Sequence, residues 1–170
     1  MGIDVSALMQ RDHEDIDRAF AAMVDPATEP NEMIWLLECA RLAMAVHSAA
    51  ELKVMDSLAR RRDVSPMSPI FELLAMQSRQ EHAAQRAAAD ELATVRPATI
   101  RWYDKAFEVR ATAAEHAGRA DHLRWTLLDH VPADVRAAAA AEYATERMRV
   151  LASSSPHAIA RRREERASSE

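Results

Sequence analysis

The stretch from Met33 to Leu58, MIWLLECARLAMAVHSAAELKVMDSL, carries the pattern on which the fold turns. Alternating steps of four and three meet Met33, Leu37, Ala40, Met44, His47, Glu51, Val54 and Leu58. This is the inward row of an amphipathic helix, apolar at every step but two. The two exceptions, His47 and Glu51, lie four residues apart and share one helix face. A carboxylate on such a row is costly unless it is paired or bound to a cation. A His and a Glu meeting there point to a metal, and the rest of the chain can be read for ligands at the same level.

Outward from this helix, the same row recurs three times, each broken by a histidine. Residues 4–24 read as a first helix with the row Val5 or Ser6, Met9, His13, Ile16, Phe20 and Met23. Asp25-Pro26 and Glu29-Pro30 punctuate the turn that follows, with Asn31 as the expected cap of the second helix, which runs to about Arg60. Residues 60–69 are polar and hold two prolines, so they read as a loop, with Ser68-Pro69 opening a third helix. That helix, 69–95, has the row Phe71, Ala75, Ser78, His82, Gln85, Ala89 and Leu92. After Pro97 a fourth helix, 98–130, has Trp102, Ala106, Val109, Ala113, His116, Ala120, Leu123 and Leu127. Pro132 opens an Ala-rich helix over 133–152, whose larger apolar residues are Val135, Tyr143, Val150 and Leu151. Its pattern leaves open whether it lies against the other helices or joins two copies as a dimer. The expected domain is 1–152, with the Ser-rich, charged segment 153–170 as a frayed tail.

Two glycines in 170 residues, many Ala, Leu, Met, Glu and Arg, and no alternating apolar–polar run argue for an all-α protein. A net charge of −5 with scattered basic residues recommends no nucleic-acid surface. No continuous apolar run approaches the ~18 to 20 residues of a membrane span. The N-terminal stretch lacks an export signal, and the lone Cys39 excludes an intramolecular disulfide, so the cytoplasm is the expected compartment.

Four long amphipathic segments with short connections imply an antiparallel up-down-up-down four-helix bundle, with the Ala-rich helix as an addition. With connection midpoints near residues 28, 64 and 97, the flanking histidines lie 15 and 19, 17 and 18, and 15 and 19 residues away. At ~1.5 Å per residue these mismatches amount to ~6 Å or less. His13, His47, His82 and His116 are therefore expected to point inward at about one height, one from each helix.

At these residues the chain resembles the hemerythrin-like family of non-heme di-iron four-helix proteins. The resemblance spans Val5 to Val131 and rests on Gln10-Arg11-Asp12-His13, His47-Ser-Ala-Ala-Glu51, Glu81-His82 and His116-Ala-Gly-Arg-Ala-Asp121. It implies two iron ions held by His13, His47, His82 and His116 and bridged by Glu51, by Asp121 and by an oxo or hydroxo group. Asp121 comes from the resemblance alone, since five residues turn it ~140° from His116 on an ideal helix. The oxygen carriers of the family place two histidines four apart on the third helix, whereas the positions four either side of His82 are Ser78 and Arg86. A reduced ligand set leaves open positions and favours turnover over storage. The resemblance implies binding of O2, peroxide or nitric oxide, with sensing or peroxide consumption among the roles. Small residues near the His level (Ala43, Ala75, Ser78, Ala113 and Ala120) would leave room for metals and a diatomic ligand.

Two other functions fit the same residues: a di-iron oxidoreductase acting on an organic substrate, and a helical regulatory module in which metal only stabilises the fold. Ferritin-like di-iron enzymes place Glu three residues before His on two helices. Here those positions hold Gln10, Met44, Arg79, Ala113, Arg119, Leu127 and Ser154, so that fold is disfavoured. Around the ligand set, Asp17 reads as an orienting partner of His13, a ligand, or a solvated charge. Glu81 and Glu115 read as surface charges able to swing toward an open metal position. His122 reads as surface or supporting, His130 as a helix-end cation, His157 as inert in the tail. Cys39 is expected to be a small buried residue, and Met9, Met23, Met44 and Met55 to be packing.

Overall fold

The computed structural model describes residues 4–128 and 130–154, with the side chains of residues 63, 65 and 121–127 outside the description. It is all-helical, with no strand among the described residues. The helices are α1 (Val5–Met23), α2 (Pro30–Ala59), α3 (Ser68–Leu92), α4 (Ile100–Leu128) and α5 (Ala133–Ser153). Most of the expected tail lies outside the described residues.

The helix ends follow local chemistry. The Asp4 carboxylate accepts from the Ser6 amide at 2.9 Å and caps α1. α2 opens on Pro30 in its first turn, which places Asn31 inside the helix rather than at its cap. Proline suits that position because its missing N–H would have no helical partner there. Residues 60–69 are more ordered than a plain loop: Arg62–Met67 forms 3₁₀ turns that bury Val64. Ahead of α4, Ala98 takes a left-handed φ of 57°, and the Thr99 hydroxyl accepts from the Trp102 amide at 3.2 Å.

α1 packs on α2 and α4, and α3 packs on α2 and α4, so these four helices form a closed circuit of neighbours. α5 lies on α2 and α1, burying Val135, Ala139, Ala140 and Tyr143 within the chain. The inward rows of α1, α2 and α3 are buried at every position named above. On α4 the row is buried from Trp102 to Val109 and at His116 and Ala120, while Ala113 is half-buried. Leu123 and Leu127 fall among the side chains outside the description. α2 alone among the described helices is long and apolar enough to cross a membrane, with a mean hydropathy of 1.2 over its most apolar stretch. An average tolerates the isolated charges that interrupt a continuous run, which is why the residue pattern raised no such candidate. In this fold α2 lies among three other helices and carries the inward His47 and Glu51.

The apolar core is divided. One cluster gathers Ile16, Phe20, Met23, Met33, Leu37 and Trp102 with their neighbours, and the other gathers Val5, Met9, Val54, Leu58, Phe71 and Tyr143. On α1 the break falls between Met9 and Ile16, and on α2 between Met44 and Ala50. Each of α1 to α4 places its buried histidine at that break. Replacing the fully buried Phe20 with Ala should cost about 3–5 kcal/mol of unfolding free energy. Ile100→Ala, at an 82% exposed position, should change it by less than ~0.5 kcal/mol. Urea denaturation of the two variants checks the assignment, and equal losses would contradict it.

Candidate metal centre

Between the two apolar clusters lie His13 from α1, His47 and Glu51 from α2, His82 from α3 and His116 from α4, all buried. Each is positioned by its place on an inward row, so four helices deliver five polar side chains to one layer. The imidazoles meet in pairs: His13 Nε2 and His47 Nε2 are 3.0 Å apart, as are His82 Nε2 and His116 Nε2. Glu51, with 0% exposure, stands between the pairs. Its Oε2 lies 2.8 Å from His47 Nε2, 3.5 Å from His116 Nε2 and 3.7 Å from His82 Nε2. His13, His47, Glu51 and His116 each offer a ligand atom within 4.8 Å of the others, and His82 joins through His116 and Glu51. This buried group could hold a metal ion.

Hydrogen bonds on the outer side of the rings fix the tautomers of two histidines. The Tyr143 hydroxyl donates to Asp12 Oδ2 at 2.7 Å, so its oxygen accepts from His47 Nδ1 at 2.9 Å. His116 Nδ1 donates to Glu81 Oε2 at 2.6 Å, and Arg119 steadies Glu81 at 3.1 Å. With Nδ1 as the donor to these outer partners, His47 and His116 turn Nε2 toward the interior, where a neutral ring presents a lone pair. A lone pair on His47 Nε2 facing the Glu51 carboxylate at 2.8 Å is repulsive unless a proton or a metal cation lies between them. A metal bound by histidine usually has such a partner on the other ring nitrogen. The donor set and its surroundings fit a cation.

Asp12 and Tyr143 form the deepest part of this support. Burial raises the Asp12 carboxyl, but the nearby His47 ring, the Tyr143 hydroxyl and Arg147, 2.7 Å away, together hold it below the ordinary carboxylate range. Burial and the adjoining Asp12 charge push the Tyr143 phenol far up, so it stays protonated and keeps its hydrogen bond. Beside His13, His47 and His116 the walls formed by Gln85, Ala113 and Ala117 leave a chamber of about 40 Å³, enough for a few water-sized atoms.

Of the residues singled out from the sequence, His13, His47, Glu51, His82 and His116 converge here. Asp121 lies on α4, but its side chain and that of His122 fall outside the described residues, as does His157. Asp17 is held by Arg110 at 2.7 and 3.2 Å. Glu115 is exposed and lies 3.6 Å from Arg119, whereas Glu81 is the partner of His116 rather than a surface charge. His130 is exposed just after α4, and Cys39 is only half-buried. Asp12 and Tyr143 were not foreseen; the one hint was an aromatic residue on the buried stripe of an Ala-rich helix. Compared with models of protein families, with curated proteins and with solved structures, the chain matches none.

Tyr143→Phe removes the hydroxyl that joins His47 to Asp12. Metal affinity should fall ~10–100-fold in a competition titration against a chelating dye, and unchanged affinity would count against the support described here. Asp17→Asn should leave metal content untouched. The Arg110 hydrogen bond and charge hold the Asp17 carboxyl below its ordinary value, so the stabilisation is present above the unfolded-state pKa and lost as pH falls through the folded one. The variant should therefore lose a small part of the wild type's acid sensitivity, seen as a flatter profile of thermal midpoint against pH below about 4.

Proposed function

We propose that this chain is a hemerythrin-like non-heme di-iron protein that binds O2, peroxide or a related small ligand. In this reading α1 to α4 form an antiparallel up-down-up-down bundle, and α5 supports the centre from outside. The observation that carries it is the pairing of the four Nε2 atoms around Glu51. Each pair of nitrogens, 3.0 Å apart, is close enough for both rings to bind one ion. Each pair together with the shared Glu51 gives two imidazoles and one carboxylate, the donor set of non-heme iron with open positions. Asp121, on the resemblance, would supply a second bridge.

Bound there, the irons would supply electrons to an oxidising ligand and take them back. The chain's own residues do the rest. Glu51 offsets the repulsion of two close cations, Tyr143 and Glu81 hold the rings of His47 and His116, and Phe20, Met44 and Val54 keep bulk water from the layer. A cytoplasmic, reducing setting suits the lone Cys39. Among the alternatives, oxidation of an organic substrate gains support from a cavity between α2 and α3 that reaches His82.

The test is metal content with an optical spectrum, on protein expressed with iron and then exposed to O2 and to peroxide. About two irons per chain with near-ultraviolet bands of a ferric pair are expected. Peroxide consumption would mark a catalyst, and a stable optical change a binder. Glu51→Ala should abolish iron retention and lower the thermal midpoint, because metal binding contributes to folding. Protein isolated with zinc or without metal, together with a neutral or stabilising Glu51→Ala, would reject the di-iron reading in favour of a helical module in which metal at most stabilises the fold.

A further inference from the structure

The cavity between α2 and α3 has features that a channel for a diatomic gas does not need. It encloses about 370 Å³, against about 40 Å³ for the chamber beside His13 and His47. That is near the lower end of ligand pockets, ~300–1,000 Å³, and suits a molecule the size of one ring. Its sides are apolar, from Leu42, Met44, Ala45 and Ala89, and its inner end is formed by Ser48, His82 and Gln85. Gln85 is buried, yet its amide nitrogen has only a 3.5 Å contact with the Thr112 carbonyl, so the amide is weakly held.

Charge at the rim narrows the class of ligand. Arg41 is committed to Glu38 at 2.8 Å and to Asp90 at 2.5 Å. Arg86, one turn beyond His82 on α3, lines the same cavity and has no ion-pair partner among the described residues. The rim thus offers one uncommitted guanidinium beside two carboxylates. A single carboxylate can take Arg86 in a forked hydrogen bond, while a second negative group would meet Glu38 and Asp90. A phosphate, with a charge of about −1.5 to −2 near neutrality, is disfavoured for the same reason.

We propose that this cavity is a binding site for a small organic monocarboxylate, with the carboxylate on Arg86 and the hydrocarbon body against Met44 and Ala89. Its inner end reaches Ser48 and Gln85 beside His82. The site rests on the di-iron reading only for its purpose, as the place where an organic co-substrate meets the centre; binding itself needs no metal.

Benzoate and its uncharged analogue benzamide are suitable probes, titrated by ligand-observed NMR into the iron-loaded and the metal-stripped full chain. Benzoate should bind at millimolar concentration or better in both, and benzamide at least ~10-fold more weakly. Arg86→Gln, at an exposed position, should bring benzoate down to the level of benzamide. Ala45→Trp, also exposed, should fill the mouth and weaken both probes. Absence of benzoate binding, equal binding of the two probes, or undiminished benzoate affinity in either variant would overturn the site. Benzoate binding to a chain that never retains iron would uphold the site while the di-iron reading falls. An iron-loaded chain that ignores benzoate would do the reverse.

Discussion

A wholly buried carboxylate lies within 2.8 to 3.7 Å of three imidazole nitrogens, and the rest of the molecule answers to that fact. Glu51 sits on the central helix with no access to solvent, where an uncompensated charge would be strongly destabilising. A hydrogen bond from an imidazole relieves one contact, but one proton serves one contact, and the layer has several. In the proposed centre, metal cations would meet these inward groups together. Because those groups come from four helices, the same ions would tie α1, α2, α3 and α4 at mid-height. The divided core follows from this. Neither apolar cluster passes through the layer, so packing above and below it is joined by polar contacts and, in the proposed holoprotein, by coordination.

Orientation of the rings is a separate requirement from their delivery. An inward row fixes where a histidine leaves the backbone, but the ring nitrogen that faces inward depends on what the other nitrogen finds. Tyr143 and Asp12 settle this for His47, and Glu81 settles it for His116. The first arrangement explains why α5 carries a buried tyrosine in an alanine stripe. Alanines allow close approach to α2 and α1, and that approach brings the hydroxyl between His47 and Asp12. The Ala-rich helix is therefore part of the centre as much as of the fold.

The helix count, the inward rows of α1 to α3 and the convergence of His13, His47, Glu51, His82 and His116 were all legible in the sequence, because 3.6-residue periodicity reports directly which side chains face a core. Residues flanking those rows were less legible. Asp12 and Tyr143 are 131 positions apart and meet only because α5 folds back on α1, a contact that no local period encodes. Asp17 shows the converse: spacing of four from His13 made it a plausible partner, but Arg110 on α4 lies closer to its reach. Asn31 has good capping chemistry, yet the proline before it fixes the start of α2 two residues earlier, with Glu29 at the cap. In each case the side chain obeyed a sound local rule and was overruled by a neighbour from elsewhere in the chain or by the backbone.

The two halves of the centre differ in how they are supported. His47 gives its outer proton to a neutral phenol oxygen that is itself fully buried and anchored by Asp12. His116 gives its proton to the Glu81 carboxylate, which reaches the surface and is held by the exposed Arg119. A carboxylate acceptor makes an imidazole a stronger donor to a metal than a phenol does. Of these two rings, His116 would thus be the stronger donor to a bound metal. The cavity between α2 and α3 reaches His82, while the small chamber is lined by His13, His47 and His116. The asymmetry of support arises from which helix stands behind each ring, α5 behind His47 and α3 behind His116.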